Sequence, residues 1–249
     1  MKTIDINNIK IIIVDNYEQM SKKAAAMIEA QVLLKRNSVL GLATGSTPEG
    51  MYQELVKKYQ ENEVDFQDVT TFNLDEYYPI APDNPQSYAY YMHENFFKHV
   101  NVRENYQNIP SGSNTNVEET CQVYDRAIEA SGNIDLQILG IGTNGHIGFN
   151  EPDVKFEAGT HLVELDEETI EANARFFDNI DDVPKQALSM GIRNIMHSKK
   201  IILMASGQNK AKAIRAMLKG PVTPELPASI LQLHQDVTLI IDEEAAGEL

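Results

Sequence analysis

The sequence predicts an α/β fold: an open, mostly parallel, doubly wound sheet flanked by helices, with its functional site at the C-terminal ends of the strands. Three observations predict it. Short β-branched or apolar runs alternate with amphipathic helical stretches along the 249 residues. Several of the runs are continuously apolar, as strands buried on both faces must be. Turns bearing glycine, serine or acidic residues follow three of them directly, where an open parallel sheet binds its ligands.

In chain order, residues 10–14 form a short β-branched run. Residues 18–36 read as a helix, with Met20, Ala24, Met27, Ile28 and Val32 at helical spacing. Residues 38–43 are an apolar strand bounded by Gly45, and residues 48–63 a helix opened by Pro48, with Met51, Leu55 and Val56 on one side. Residues 69–73 are the next strand, 87–99 and 117–130 two helices, and 134–139 the clearest buried strand. Later strands are expected at 160–165, 201–205 and 237–241, with helices near 167–177 and 209–219. No repeat or Gly/Ser/Pro-rich linker divides the chain, so residues 1–249 are expected to form one Rossmann-like domain, with a lid around 153–182.

Composition narrows the function. A net charge of −16 argues against nucleic acid and against anionic membrane surfaces, which both require basic patches. No run approaches the roughly 20 apolar residues that span a bilayer. The first residues lack a signal-peptide core, and a lone Cys121, read as a small residue on an amphipathic helix, permits no internal disulfide. The expectation is a cytoplasmic protein that needs a local cluster of donors to hold any anion.

The first notable strand end is Thr44-Gly45-Ser46-Thr47-Pro48. Strand, Gly/Ser/Thr turn and helix N-terminus together form an anion-binding geometry, because free N–H groups and the helix dipole converge there. Without a following Gly-Lys-Ser/Thr it is not a nucleotide P-loop. On this motif alone, Thr47 acting simply as a helix cap fits equally well. Lys210, after strand 201–205 and the turn 206–209, and Arg175 are candidate cations for the same anion, although an arginine in such a helix is ordinarily a solvated charge. The second strand end carries Asp75 and Glu76 beside Tyr77 and Tyr78. Desolvation would prepare Asp75 as a general base, whereas taken alone the pair reads as a solvated loop.

The third is the loop 140–152. Gly140, Gly142 and Gly145 satisfy G-x-G-x-x-G after a strand, and Asp166 lies where a dinucleotide fold places its ribose-binding acid. Gly148, Asn150 and Pro152 keep the segment irregular where that fingerprint requires a helix, which excludes a dehydrogenase. Glycines such as Gly142 and Gly145 let backbone approach a ligand closely. His146, with Glu151 five residues on, is a candidate acid–base pair, whereas His93, His99, His161, His197 and His234 read as structural. No spacing suits a zinc site, so neither metal nor cofactor is expected.

Together these loops resemble the glucosamine-6-phosphate deaminase family. The matching stretches are Leu42-Ala43-Thr44-Gly45-Ser46-Thr47-Pro48, Asn73-Leu74-Asp75-Glu76-Tyr77, residues 140–152, Ala174-Arg175-Phe176-Phe177 and Ala228-Ser229-Ile230-Leu231-Gln232-Leu233-His234, in order and spaced nearly end to end. The resemblance implies conversion of glucosamine 6-phosphate and water to fructose 6-phosphate and ammonia. Asp75 would move a proton from C2 to C1. His146, with Glu151 and Asn144 in its relay, would open the pyranose ring, and Thr44, Gly45, Ser46, Thr47, Arg175 and Lys210 would hold the phosphate. Position 144 is asparagine where many members carry aspartate, so ring opening is expected to lean on Glu151. Larger hexameric members extend further and use basic residues near strand 160–165 for allosteric activation. This chain has none in that strand and ends at Leu249, so a monomer without an activator site is expected. Two alternatives are carried forward: a 6-phosphogluconolactonase of the same fold, and a non-catalytic sugar-phosphate sensor.

Overall fold

A computed structural model describes residues 1–177 and 179–249, without the side chains of Glu168, Ala172, Phe176 and Asp181. The chain opens with strands β1 (Lys2–Ile6) and β2 (Ile9–Val14), an antiparallel hairpin turned by Asn7 and Asn8 at φ 48° and 63°. Asparagine tolerates this left-handed backbone, as the tight hairpin turn requires. Helix α1 (Tyr17–Leu34) starts where Asn16 accepts the Gln19 N–H. Its buried Met20, Ala24, Ile28 and Val32 recur at helical spacing. Then come β3 (Val39–Leu42), α2 (Ser46–Gln60), β4 (Thr70–Asn73), β5 (Asp75–Tyr78), α3 (Tyr88–Asn95), the two-residue β6 (Gln107–Asn108) and α4 (Val117–Ala130). The second half supplies β7 (Leu136–Leu139), β8 (His161–Glu164), α5 (Glu167–Asn173), β9 (Gln186–Ser189), α6 (Ile192–Met196), β10 (Ile201–Ala205), α7 (Ala211–Lys219) and β11 (Val237–Asp242).

Eight strands form the main sheet in the order β1-β2-β11-β10-β7-β3-β4-β6, all parallel except the β1 edge. Central strands β3, β7, β10 and β11 are buried at every residue, which explains their largely apolar sequences, broken only by Gln137, Thr238 and Asp242. From β3 the chain builds outward to β4 and β6, then returns to place β7 on the other side of β3 and builds toward β10 and β11. The reversal lies between β3 and β7. At such a switch point the connections diverge and leave a crevice at the strand C-termini.

The doubly wound expectation therefore holds, and the expected strands and helices are present with no end displaced by more than four residues. Helix α2 begins at Ser46 behind Gly45, so Thr47 does not cap it as the simpler reading supposed. Residues 75–78 are a correction to the solvated-loop reading. They form β5, which pairs with β9 in a second, three-stranded antiparallel sheet, β5-β9-β8. Cys121 lies buried on α4, as expected of a small packing residue.

Opposite the crevice, Asp135 ties the strand N-termini together. Its buried carboxylate accepts the Val39 N–H at 2.8 Å and faces Lys35 and Lys199 at 2.5 and 2.7 Å. Burial pushes its carboxyl up, but the two lysines and the Val39 N–H outweigh that and hold it below the ordinary value. Asp135→Ala should cost about 1–3 kcal/mol at neutral pH, chiefly from the stranded Val39 N–H, since both lysines remain solvated. A depressed folded-state carboxyl stabilises above its unfolded value near about 3.9. The gap between wild type and variant in urea unfolding should therefore narrow as pH falls below that value.

Candidate active site

Four adjacent strand ends, those of β4, β3, β7 and β10, surround a cavity of about 850 Å³ at the switch point. The turn Thr44-Gly45-Ser46-Thr47 forms one wall. Gly45 adopts φ 91°, a backbone that a side chain would strain, and hands the chain directly into α2. Its carbonyl is held by the Tyr91 hydroxyl at 2.7 Å, while Tyr17 donates to the Ser46 carbonyl at 2.9 Å and accepts the Gly50 N–H at 2.8 Å. The α2 N-terminus is thus braced from two sides where its dipole favours an anion.

Arg175, on the short 3-10 turn Ala174–Phe176 after α5, donates to Ser46 Oγ at 3.1 Å. Although exposed, it is turned toward the cradle, as expected of a candidate cation for the anion. Lys210 lines the same cavity and donates to the Ile141 carbonyl at 2.8 Å. Burial, and then the positive charge of Arg175, hold the Lys210 ammonium below its ordinary value. Two mutually repelling cations beside a helix N-terminus form a site that an anion would stabilise. This is the local donor cluster that an acidic protein needs.

Asp75 enters from the start of β5, where Met190 N–H donates to the Leu74 carbonyl at 2.6 Å and docks the small sheet on the end of β4. Its side chain is buried at the cavity wall, with no hydrogen-bond partner for its carboxylate among the described residues. Burial first, and the neighbouring Glu76 carboxylate second, push Asp75 up to about 8. Glu76 does different work. It accepts the N–H groups of Tyr77, Tyr88 and Ala89 at 2.8–2.9 Å and so caps α3, while burial pushes it up to about 7 against those bonds. Of two consecutive carboxylates, one builds structure and one faces the cavity.

The β7 loop is irregular to Thr160, with no helix after its glycines, so the dinucleotide fingerprint fails as expected. His146 Nδ1 lies 3.1 Å from Glu151 Oε2. That oxygen also accepts Asn144 Nδ2 at 2.8 Å, and Oε1 accepts the Thr169 hydroxyl at 2.6 Å. Burial raises the Glu151 carboxyl, but the bonds from His146, Thr169 and Asn144 offset it and leave the group below its ordinary value. An ionised Glu151 selects the tautomer with hydrogen on Nδ1 and leaves Nε2 as the acceptor. Asn144 Oδ1 in turn accepts the His146 N–H at 3.1 Å.

Two glycines shape this loop for different reasons. Gly145, at φ 87°, lies under Leu226, and its carbonyl accepts the Ala228 N–H at 2.9 Å, so the Pro227–Leu233 turn clamps the loop from behind. Gly142 has ordinary backbone, but the imidazole of His146 packs where its Cβ would be: an added Cβ would lie 2.5–2.7 Å from three ring atoms.

Sequence reasoning missed several neighbours. Tyr88 stacks on Phe149 at 6.1 Å and 14°, Thr169 orients Glu151, and Asn173 lines the cavity. The period of residues 167–177 could place Thr169 and Asn173 on one helix face, but no pattern in the sequence brings that face to Glu151. The other histidines behave as structural residues where bonds are seen: His234 bonds Ser198 and Asp236, and His161 bonds Gly159. The side chain of Phe176 and all of Asp178, inside the expected lid, lie outside the described residues. Among the described residues no group of acids, histidines and cysteine could hold a metal, and no helix is long and apolar enough to cross a membrane.

Gly142→Ala should force the imidazole away from Glu151 and lower stability by about 1–3 kcal/mol, as overpacking does. Thermal unfolding together with a crystal structure of the variant checks both.

Comparison with known proteins shows the family. Residues 14–240 match the model of a family described as glucosamine-6-phosphate isomerases/6-phosphogluconolactonase. A Clostridium botulinum (strain Loch Maree) protein named glucosamine-6-phosphate deaminase is 60% identical over 240 residues, 96% of this chain and 98% of the relative. One of the same name from Halothermothrix orenii is also 60% identical, over 96% of this chain and all of its own length (100%). A solved structure described as a monomeric glucosamine-6-phosphate deaminase superposes with a TM-score of 0.94 at 46% identity, over 96% of this chain and 99% of that one. The 6-phosphogluconolactonase from Thermotoga maritima shares the fold, with a TM-score of 0.72 at 18% identity over 94% and 99% of the two chains. The chain belongs to the glucosamine-6-phosphate isomerase/6-phosphogluconolactonase family.

Proposed function

We propose that this enzyme is a glucosamine-6-phosphate deaminase, converting glucosamine 6-phosphate and water to fructose 6-phosphate and ammonia. The observation that carries the reading is one cavity lined by an anion cradle, a buried Asp75 and an imidazole oriented by a carboxylate. The names of relatives at about 60% identity point the same way.

In this reading the phosphate sits among Thr44, Gly45, Ser46, Thr47, Arg175 and Lys210. His146 takes the proton of the anomeric hydroxyl and returns one to the ring oxygen, which opens the pyranose. Glu151 supports the charge that the ring then carries, and Asn144 orients both. Asp75 removes the C2 proton from the open-chain aldehyde and delivers it to C1. As the C1 carbonyl oxygen gains a proton and the C2 ammonium gives one up, C2 becomes an iminium, and water adds there to give the ketone and release ammonia. Gly142 lets the loop backbone approach the cavity and the imidazole, whereas Gly145 faces Leu226 and lets the loop be clamped from behind. A carboxyl raised to about 8 suits abstraction of a weakly acidic C–H, since base strength grows with its pKa. Residues 153–182, which carry Thr169, Asn173 and Arg175, would act as the lid.

Asp75→Asn should bind the phosphosugar as wild type does yet lose turnover by about 10²- to 10⁴-fold. A coupled ammonia and fructose 6-phosphate assay on both proteins checks this, and comparable rates would remove Asp75 as the base. Lactone hydrolysis by the same preparation, without ammonia release, would favour the lactonase alternative. Binding without turnover in wild type would favour the sensor. Because the base works ionised and its carboxyl is raised, kcat/KM should climb with pH up to about 8 and fall below it.

The superposition with a relative described as monomeric supports a monomer, and a β8 strand, His161–Glu164, without arginine or lysine favours the absence of an activator site. Sedimentation should give the mass of one chain, and rate curves should be hyperbolic and unchanged by N-acetylglucosamine 6-phosphate.

A further inference from the structure

Asp166, which the dinucleotide reading singled out and the proposed reaction leaves unused, stands beside the histidine relay. It precedes α5 at the N-cap position, yet its side chain makes no capping bond. Its Oδ2 instead accepts Asn144 Nδ2 at 3.3 Å, and the same nitrogen donates to Glu151 Oε2 at 2.8 Å. The amide thus bridges two carboxylates while its own oxygen accepts the His146 N–H at 3.1 Å. The reverse amide orientation would place an oxygen between two carboxylates and a donor against an N–H, so the network permits one orientation. Glu151 and Asp166 also line a second cavity of about 290 Å³, apart from the one that holds His146 and Asp75.

We propose that Asp166 is a positioning residue of the relay: with Glu151 it clamps the Asn144 amide, which in turn aims Glu151 at His146 Nδ1. The proposal rests on the ring-opening role assigned to His146. It also gives a physical reason for asparagine at position 144. An aspartate there would be a third carboxylate beside Glu151 and Asp166, with no donor between them. The pair 144/166 therefore holds one amide and one carboxylate, and the arrangement should tolerate their exchange better than either single change. Burial, and next the Glu151 charge, raise the Asp166 carboxyl, as expected of two acids sharing one donor.

The test is a four-protein cycle of wild type, Asp166→Asn, Asn144→Asp and the double exchange, each assayed for ammonia release and for thermal unfolding. Asparagine caps a helix as well as aspartate, so a purely structural role predicts no loss from Asp166→Asn. The clamp predicts that Asp166→Asn lowers kcat about tenfold with KM little changed, and that Asn144→Asp costs more. In the double exchange it predicts recovery of at least about tenfold over Asn144→Asp alone, within the range of measured couplings between touching residues. Unchanged kcat in Asp166→Asn overturns the proposal, as does a double exchange whose losses simply multiply. His146→Gln is the control for the reading beneath it. If that variant keeps its kcat, the ring-opening role fails. If it loses kcat while Asp166→Asn does not, only the clamp fails.

Discussion

The reversal of strand order between β3 and β7 is the constraint on which the rest of the molecule depends. Parallel strands that part company cannot cover their own C-terminal ends with connections, so a crevice opens there. The strands bordering that crevice bring together four loops from distant parts of the sequence. One supplies a helix N-terminus, one a buried acid, one the imidazole and one a lysine. None of the four makes a site by itself. The sheet makes it, by holding their origins side by side in a core too closely packed to drift.

Electrostatics then divides the crevice. The whole chain carries −16, which opposes an anionic ligand at long range. At the α2 end, Arg175 and a buried Lys210 stand close enough to repel, and a bound phosphate would relieve that repulsion. At the β4 end, the small sheet β5-β9-β8 shields Asp75 from water and raises its carboxyl, while backbone N–H groups engage Glu76. Between them His146 takes its orientation from Glu151. Burial raises both acids, and the donors around each decide the outcome. Asp75 lacks donors and rises, whereas Glu151 has three and falls. A proton can therefore be held at one carboxylate while another stays ionised, which is what separate acid–base steps require.

The segment around α5 links the two ends. Asp166 and Thr169 reach the relay, and Arg175 reaches Ser46. Anything that shifts this segment must act on both anion binding and the histidine, so the proposed lid and the proposed relay share one mechanical element.

Much of this was legible from the sequence alone. Continuously apolar runs bounded by turns specify buried parallel strands, and 3.6-residue periodicity specifies α1, α2 and α4, because burial dictates both patterns. The glycine-rich turns specified where backbone could approach a ligand, and His146 with Glu151 stood out through proximity in the chain. The hairpin of β1 and β2 has a local signal too, in the alternation of residues 2–6 and the Asn7-Asn8 turn. Other features have no local signal. Asp-Glu-Tyr-Tyr looks like a solvated loop because its burial comes from β9, more than a hundred residues later. Thr169 and Asp166 acquire their roles only when α5 is laid against the β7 loop, and Arg175 only when it meets Ser46. The sequence by itself determined which segments must be buried and which turns could bind. Only the tertiary structure decided which carboxylate would lose its water and which would gain donors, because desolvation and hydrogen bonding are properties of neighbours that the chain does not place side by side.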